Sequence, residues 1–148
     1  MTAAIQIITG TIGTLGFGVL FNIRGKRLIA AAVGGALSWS LFLLLQLVIP
    51  SEPVNYFIVS FVTAFYCQLA SIFLKAPTTI FITTSLVPLV PGGSLYYTMA
   101  YAFNTNMEKF MQKAIDTLQL ASALALGIIV ASSIIKIHRK YKKAHKKA

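Results

Sequence analysis

Charged positions in this chain are not interleaved with apolar ones at helical or strand spacing; they gather into short clusters that separate long uncharged runs. Such runs occupy residues 3–23, 28–49, 54–74 and 115–135, and another, 76–103, is equally long but interrupted by prolines and glycines. Between Leu28 and Leu74 the only ionised side chain is Glu52, and between Ala76 and Met107 there is none. A helix on the surface of a soluble domain needs a polar face to wet, and these runs offer none. A helix crossing the hydrocarbon layer, about 30 Å thick, needs about 20 mostly apolar residues at about 1.5 Å each, which every run supplies. The pattern predicts an all-α, polytopic integral membrane protein with about five transmembrane helices, the fourth broken at a Pro/Gly motif.

Composition sharpens this picture. Of 148 residues, 57% are apolar and 11% charged, against about 45–50% and about 25% in an average soluble domain. No positive residue precedes the first run and no A-x-A site follows it, so residues 3–23 are expected to stay as a span and not to be cleaved. Two parts are expected: a transmembrane domain, 1–137, and a basic cytoplasmic tail, 138–148.

The basic residues are sorted by loop. Arg24, Lys26 and Arg27 follow the first run and Lys75 the third, while Lys136, Arg139, Lys140, Lys142, Lys143, Lys146 and Lys147 end the chain; the alternate loops carry only Lys109 and Lys113. Short loops rich in Lys and Arg stay in the cytoplasm. Five crossings of the plasma membrane, with the N-terminus outside and the C-terminus in the cytoplasm, agree with that bias. If 76–103 only dipped in and out, the tail and the Arg24 loop would fall on opposite sides. The net charge of +10 does not point to nucleic acid, because more than half of the basic residues sit directly after a span, where anionic lipid headgroups are the expected partner. Cys67 is single, and His138 and His145 have no carboxylate or cysteine beside them, so neither a disulfide, a metal site nor another cofactor is expected. Three carboxylates, one cysteine and two tail histidines do not assemble a nucleophile, base and orienting group, which argues against an enzyme.

Small residues recur at helical spacing: Gly10, Thr14 and Gly18, with Gly13 and Gly16 beside them; Ala31 with Gly35 and Gly34 with Ser38; then Ala123, Gly127 and Ala131. Such stripes let helix backbones approach where lipid competes for larger side chains, either within the chain or against a partner. Tyr56 is expected as an interface anchor, with Trp39, Tyr96, Tyr97 and Tyr101 open between that role and a substrate cage.

The segment 76–103 cannot be one regular helix. Pro88 and Pro91 each remove a backbone donor and clash with the preceding turn, and Gly92 and Gly93 are free to take positive φ. The residues predict a half-helix from Pro77 to Val87 and a second starting near Ser94 as its N-cap. Irregular backbone at membrane depth is tolerated only against protein or a water-filled cavity, and broken helices of this kind form substrate sites in many transporters. The free amides of Gly92, Gly93 and Ser94 are the expected anion-binding element, with hydroxyls of Thr78, Thr79, Thr83, Thr84 and Ser85 on the approach. An ordinary proline kink is the competing reading. Asp116, at the start of the last run, is either an interface charge or a proton carrier.

G-T-L-G-F-G-V-L-F-N at 13–22, K-A-P-T at 75–78 and P-L-V-P-G-G-S-L-Y-Y at 88–97 resemble the small, YjjB-like subunit of the two-component threonine/serine exporter (ThrE-type) family over nearly the whole chain. The resemblance implies a larger multi-span membrane subunit as partner. It also implies proton-driven export of small carboxylate-bearing metabolites, threonine and serine or a dicarboxylate such as succinate. It carries Pro88, Pro91, Gly92 and Gly93 as the core of the substrate pathway, and it places Lys75 and Pro77 in the motif entering that segment. The reading of the residues themselves adds Ser94, Thr83, Thr84 and Tyr97 as candidates for the pathway and leaves Lys75, like Asp116, as a proton or interface candidate. The alternatives are a non-transporting assembly or scaffold subunit and a holin-like pore.

Overall fold

The computed structural model describes residues 2–144, with side chains described through Ile137. Among them every regular element is helical: α1 (Ala3–Leu20), α2 (Lys26–Gln46), α3 (Glu52–Leu74), α4 (Thr78–Ser85), a 3-10 turn (Val87–Leu89), α5 (Gly92–Phe103) and α6 (Met107–Ala144). Four helices are long and apolar enough to cross a membrane, and α4 with α5 forms a further pair bent by 44°. The fourth run is thus broken in the helical protein the pattern predicts.

Helix ends are set by local chemistry. α1 stops where Asn22 turns left-handed (φ 57°), with Asn22 N–H donating to Val19 O at 2.9 Å and Ile23 N–H to Gly18 O at 2.9 Å, the paired bonds of a Schellman terminus. α3 ends likewise: Lys75 has φ 47° and Ala76 N–H reaches back to Ser71 O at 3.2 Å. The K-A-P-T corner is then locked by side chains. Ser71 Oγ donates to Ala76 O at 2.6 Å, and Thr78 Oγ1 donates to Ser71 Oγ at 2.9 Å.

The small-residue stripes join helices of this chain. A Cβ on Gly35 would collide with Thr14, one on Gly18 would lie 2.5 Å from Leu28 Cδ1, and one on Gly34 would collide with Ser85. α4 is seated on α2 by hydroxyls: Ser85 Oγ donates to Ala31 O at 3.2 Å and Ser38 Oγ to Ser85 O at 2.9 Å. Gly127 of α6 lies on Ser60 and on the Phe57 carbonyl of α3. Gly13 and Gly16 face open space.

The register of α6 on α3 decides how often the chain crosses the bundle. Gly127 meets residues 57–61 and Ser132 meets Gln68, so α6 runs parallel to α3. Since α3 ends at the Lys75 corner and α6 must start at the opposite end, α4 and α5 carry the chain from one end to the other. One end therefore gathers the α1–α2 turn, the α3–α4 corner and Lys136. The other holds the α2–α3 and α5–α6 turns and all three carboxylates, Glu52, Glu108 and Asp116.

Candidate functional site at the broken span

α4 opens at Pro77, which occupies the N-cap, and closes at Ser85. Pro88 then lies in a 3-10 turn, where its missing donor costs least. Gly92 N–H donates back to Val90 O at 2.6 Å around Pro91, whose φ of −73° and ψ of 55° make an inverse γ-turn. α5 starts there. Two expectations are corrected. Ser94 is not the N-cap but the third residue of α5, because the γ-turn hands the cap to Pro91. Gly92 and Gly93 do not take positive φ, since both already belong to the helix.

The break sits near mid-height. A Cβ on Gly10 would lie 3.6 Å from Pro88 Cβ and 3.7 Å from Trp39 Cγ, and both residues are close to the midpoints of their helices. On the inner side, Leu86 and Leu89 join Phe42, Tyr56, Val59 and Leu120 in a buried cluster. Tyr56, expected as an interface anchor, is buried in that core, its ring 5.2 Å edge-on to Phe42.

The outer side of the break is open. Val90 is 61% exposed, Gly92 and Gly93 are exposed and Ser94 is half-buried. Nothing lies within 4 Å of a Cβ placed on either glycine. Among the described residues the amides of Gly93 and Ser94 have no acceptor. Tyr97 and Tyr101 continue the line of Gly93 at four-residue spacing, so they share one helix face, with Tyr97 54% exposed. Their rings stack at 6.5 Å, and Lys109 Nζ lies 5.8 Å from the Tyr101 centroid.

The hydroxyls divide. Thr83 is exposed and donates to Thr79 O at 2.8 Å. Thr84 is fully buried, with Ile80 O at 2.7 Å and Phe81 O at 3.2 Å as acceptors, and Ser85 is equally buried against α2; neither is directed at the open amides. Asp116 and Lys75 lie at opposite ends of the bundle, away from the break. Asp116 is half-exposed and pairs with Lys113 at 3.1 Å. Gly10, from a distant run, lies beside both Pro88 and Trp39; elsewhere in the bundle, Trp39 Nε1, Asn55 Oδ1 and Thr63 Oγ1 are buried without a protein partner among the described residues. The i, i+4, i+8 spacing of Asn55, Val59 and Thr63 was the available signal for two of them. The side chains of the tail, 138–148, lie outside the described residues.

A multi-pass helical bundle with one span broken at mid-height, its peptide groups open to the side, is the architecture of a membrane protein of the transporter type. The chain matches the family described as Threonine/Serine exporter, ThrE, over residues 6–134. It belongs to that exporter family. No curated protein and no solved structure matches it.

Proposed function

We propose that this chain is the small subunit of a proton-driven exporter of small carboxylate-bearing metabolites, threonine and serine or a dicarboxylate such as succinate. It works in the plasma membrane beside a larger multi-span subunit. The observation that carries this reading is the open N-terminus of α5. Gly93 and Ser94 present unpaired amides sideways at mid-height, where an unsatisfied peptide group in hydrocarbon costs several kcal/mol. Backbone N–H groups at a helix start suit a carboxylate. The glycines leave room for it, and the partner subunit covers the open side. In this reading the end holding Arg24, Lys26, Arg27, Lys75 and Lys136 faces the cytoplasm, with the basic tail on anionic lipid. Asp116 is an interface charge.

The test replaces Gly92 and Gly93 by Val and follows efflux of threonine, serine and succinate from cells making both subunits. Neither new side chain meets an atom of this chain at its Cβ, so membrane abundance should hold while efflux falls. Undiminished efflux would remove the site from this position.

A second reading, a non-transporting assembly subunit, is favoured by the inward use of Thr84 and Ser85, whose hydroxyls serve packing. A photo-crosslinker at Ser94 separates the two: a substrate analogue labels a transport subunit and leaves a scaffold unlabelled.

A further inference from the structure

The turn between α1 and α2 forms, with the first half-helix, an open cavity of about 390 Å³ lined by Phe21, Asn22, Ile23, Arg24, Arg27 and Ile80, with both arginines exposed. Its shape follows from the turn. Left-handed Asn22 ends α1, the buried side chain of Ile23 pins the loop, and Gly25 at φ 62° reverses it, so Arg27, the second residue of α2, lies beside the same space as Arg24. Ile80 supplies the wall from α4. Among the described residues neither arginine has an ion-pair partner. The three Asp and Glu side chains, Glu52, Glu108 and Asp116, are at the far end of the bundle, several Debye lengths of about 8–10 Å away. A loop bias toward basic residues explains why these charges lie at this end; it does not explain why two of the three in the loop line a cavity while Lys26, between them, does not.

We infer that this cavity is a binding site for an oxyanion, a carboxylate or phosphate group held between the Arg24 and Arg27 guanidinium groups. Their planar forks match such groups with paired, charge-assisted hydrogen bonds, while Phe21, Ile23 and Ile80 give an apolar wall to whatever carries the anion. The group has two sources, a small soluble anion or the headgroup of an anionic lipid. The site stands independently of the role given to Gly92 and Gly93, because it is built from other residues at a different height.

The test uses the full chain in nanodiscs. In neutral phosphatidylcholine discs, succinate, serine and inorganic phosphate are titrated by calorimetry; in discs containing phosphatidylglycerol, retained lipid is counted by native mass spectrometry. Saturable binding in the first arm assigns a soluble anion, and retained phosphatidylglycerol without soluble binding assigns a lipid. In either arm, Arg24→Gln with Arg27→Gln should weaken binding by about tenfold or more, the scale of losing charge-assisted bonds. Lys26→Gln, which removes the same charge from the same loop, should leave it within about twofold. Should the double variant not insert, Arg24→Lys with Arg27→Lys decides: weaker binding than in Lys26→Gln supports the paired fork, and equal binding overturns it. Absence of binding in both arms, or equal loss in Lys26→Gln, also overturns the site.

Discussion

Gln68 on α3 donates from Nε2 to Oγ of Ser132 on α6 at 3.2 Å, and this bond, with Gly127 seated on the Phe57 carbonyl, holds the two helices parallel. The broken segment therefore traverses the bundle, and the start of α1 and the end of α6 lie at opposite ends of it. Epitope tags at the N- and C-termini should be reached by antibody from opposite faces of sealed membrane vesicles, the C-terminal one from the cytoplasmic face. Detection of both from one face would mean that the broken span folds back.

Gly127 and Gly13 should respond oppositely to alanine. At Gly127 the added Cβ would sit 2.6 Å from the Phe57 carbonyl oxygen, and backbone cannot step aside, so overpacking of about 1–3 kcal/mol is expected. At Gly13 nothing lies within 4 Å, and the helix should gain up to about 1 kcal/mol. Thermal midpoints of the purified variants should move down and up respectively.

Lys75 ends α3 in the left-handed region, which costs a side-chain-bearing residue about 1 kcal/mol that glycine avoids. Lys75→Gly should raise the thermal midpoint, whereas Lys75→Ala should not. A fall with glycine would show that the exposed lysine stabilises the corner by more than the backbone strain.

Asp116 pairs with Lys113 while both side chains remain more than 40% exposed, the geometry of an ion pair contributing about 0–1 kcal/mol. Asp116→Asn should retain more than about half of the efflux in cells with both subunits. Loss beyond about tenfold would instead assign this carboxylate to proton movement.

The uncharged runs and the failure of 76–103 as a single helix were legible, because apolar length and missing proline donors act locally. The restart of the helix at Gly92 was not. It depends on a γ-turn at Pro91 whose closing bond, from Gly92 to Val90, no residue type announces. Likewise, Gly10 lies beside both Pro88 and Trp39 and so joins three distant runs, and the tertiary register of Ser132 on Gln68 decides the passage of the broken span. Tyr56 is a residue type that favours interfaces, yet it sits in the core, its ring edge-on to Phe42. The hydroxyls of Thr84 and Ser85 read as candidates for the route, and packing against the Ile80 and Ala31 carbonyls claimed both.

Cys67 lies wholly buried against Ala31 and Phe81 and is the only thiol in the chain. Thiol-specific reagents should therefore pass over the intact protein. Single cysteines installed along α5 can then be read one at a time in an otherwise native background, and their reactivity would trace where water reaches beside the break.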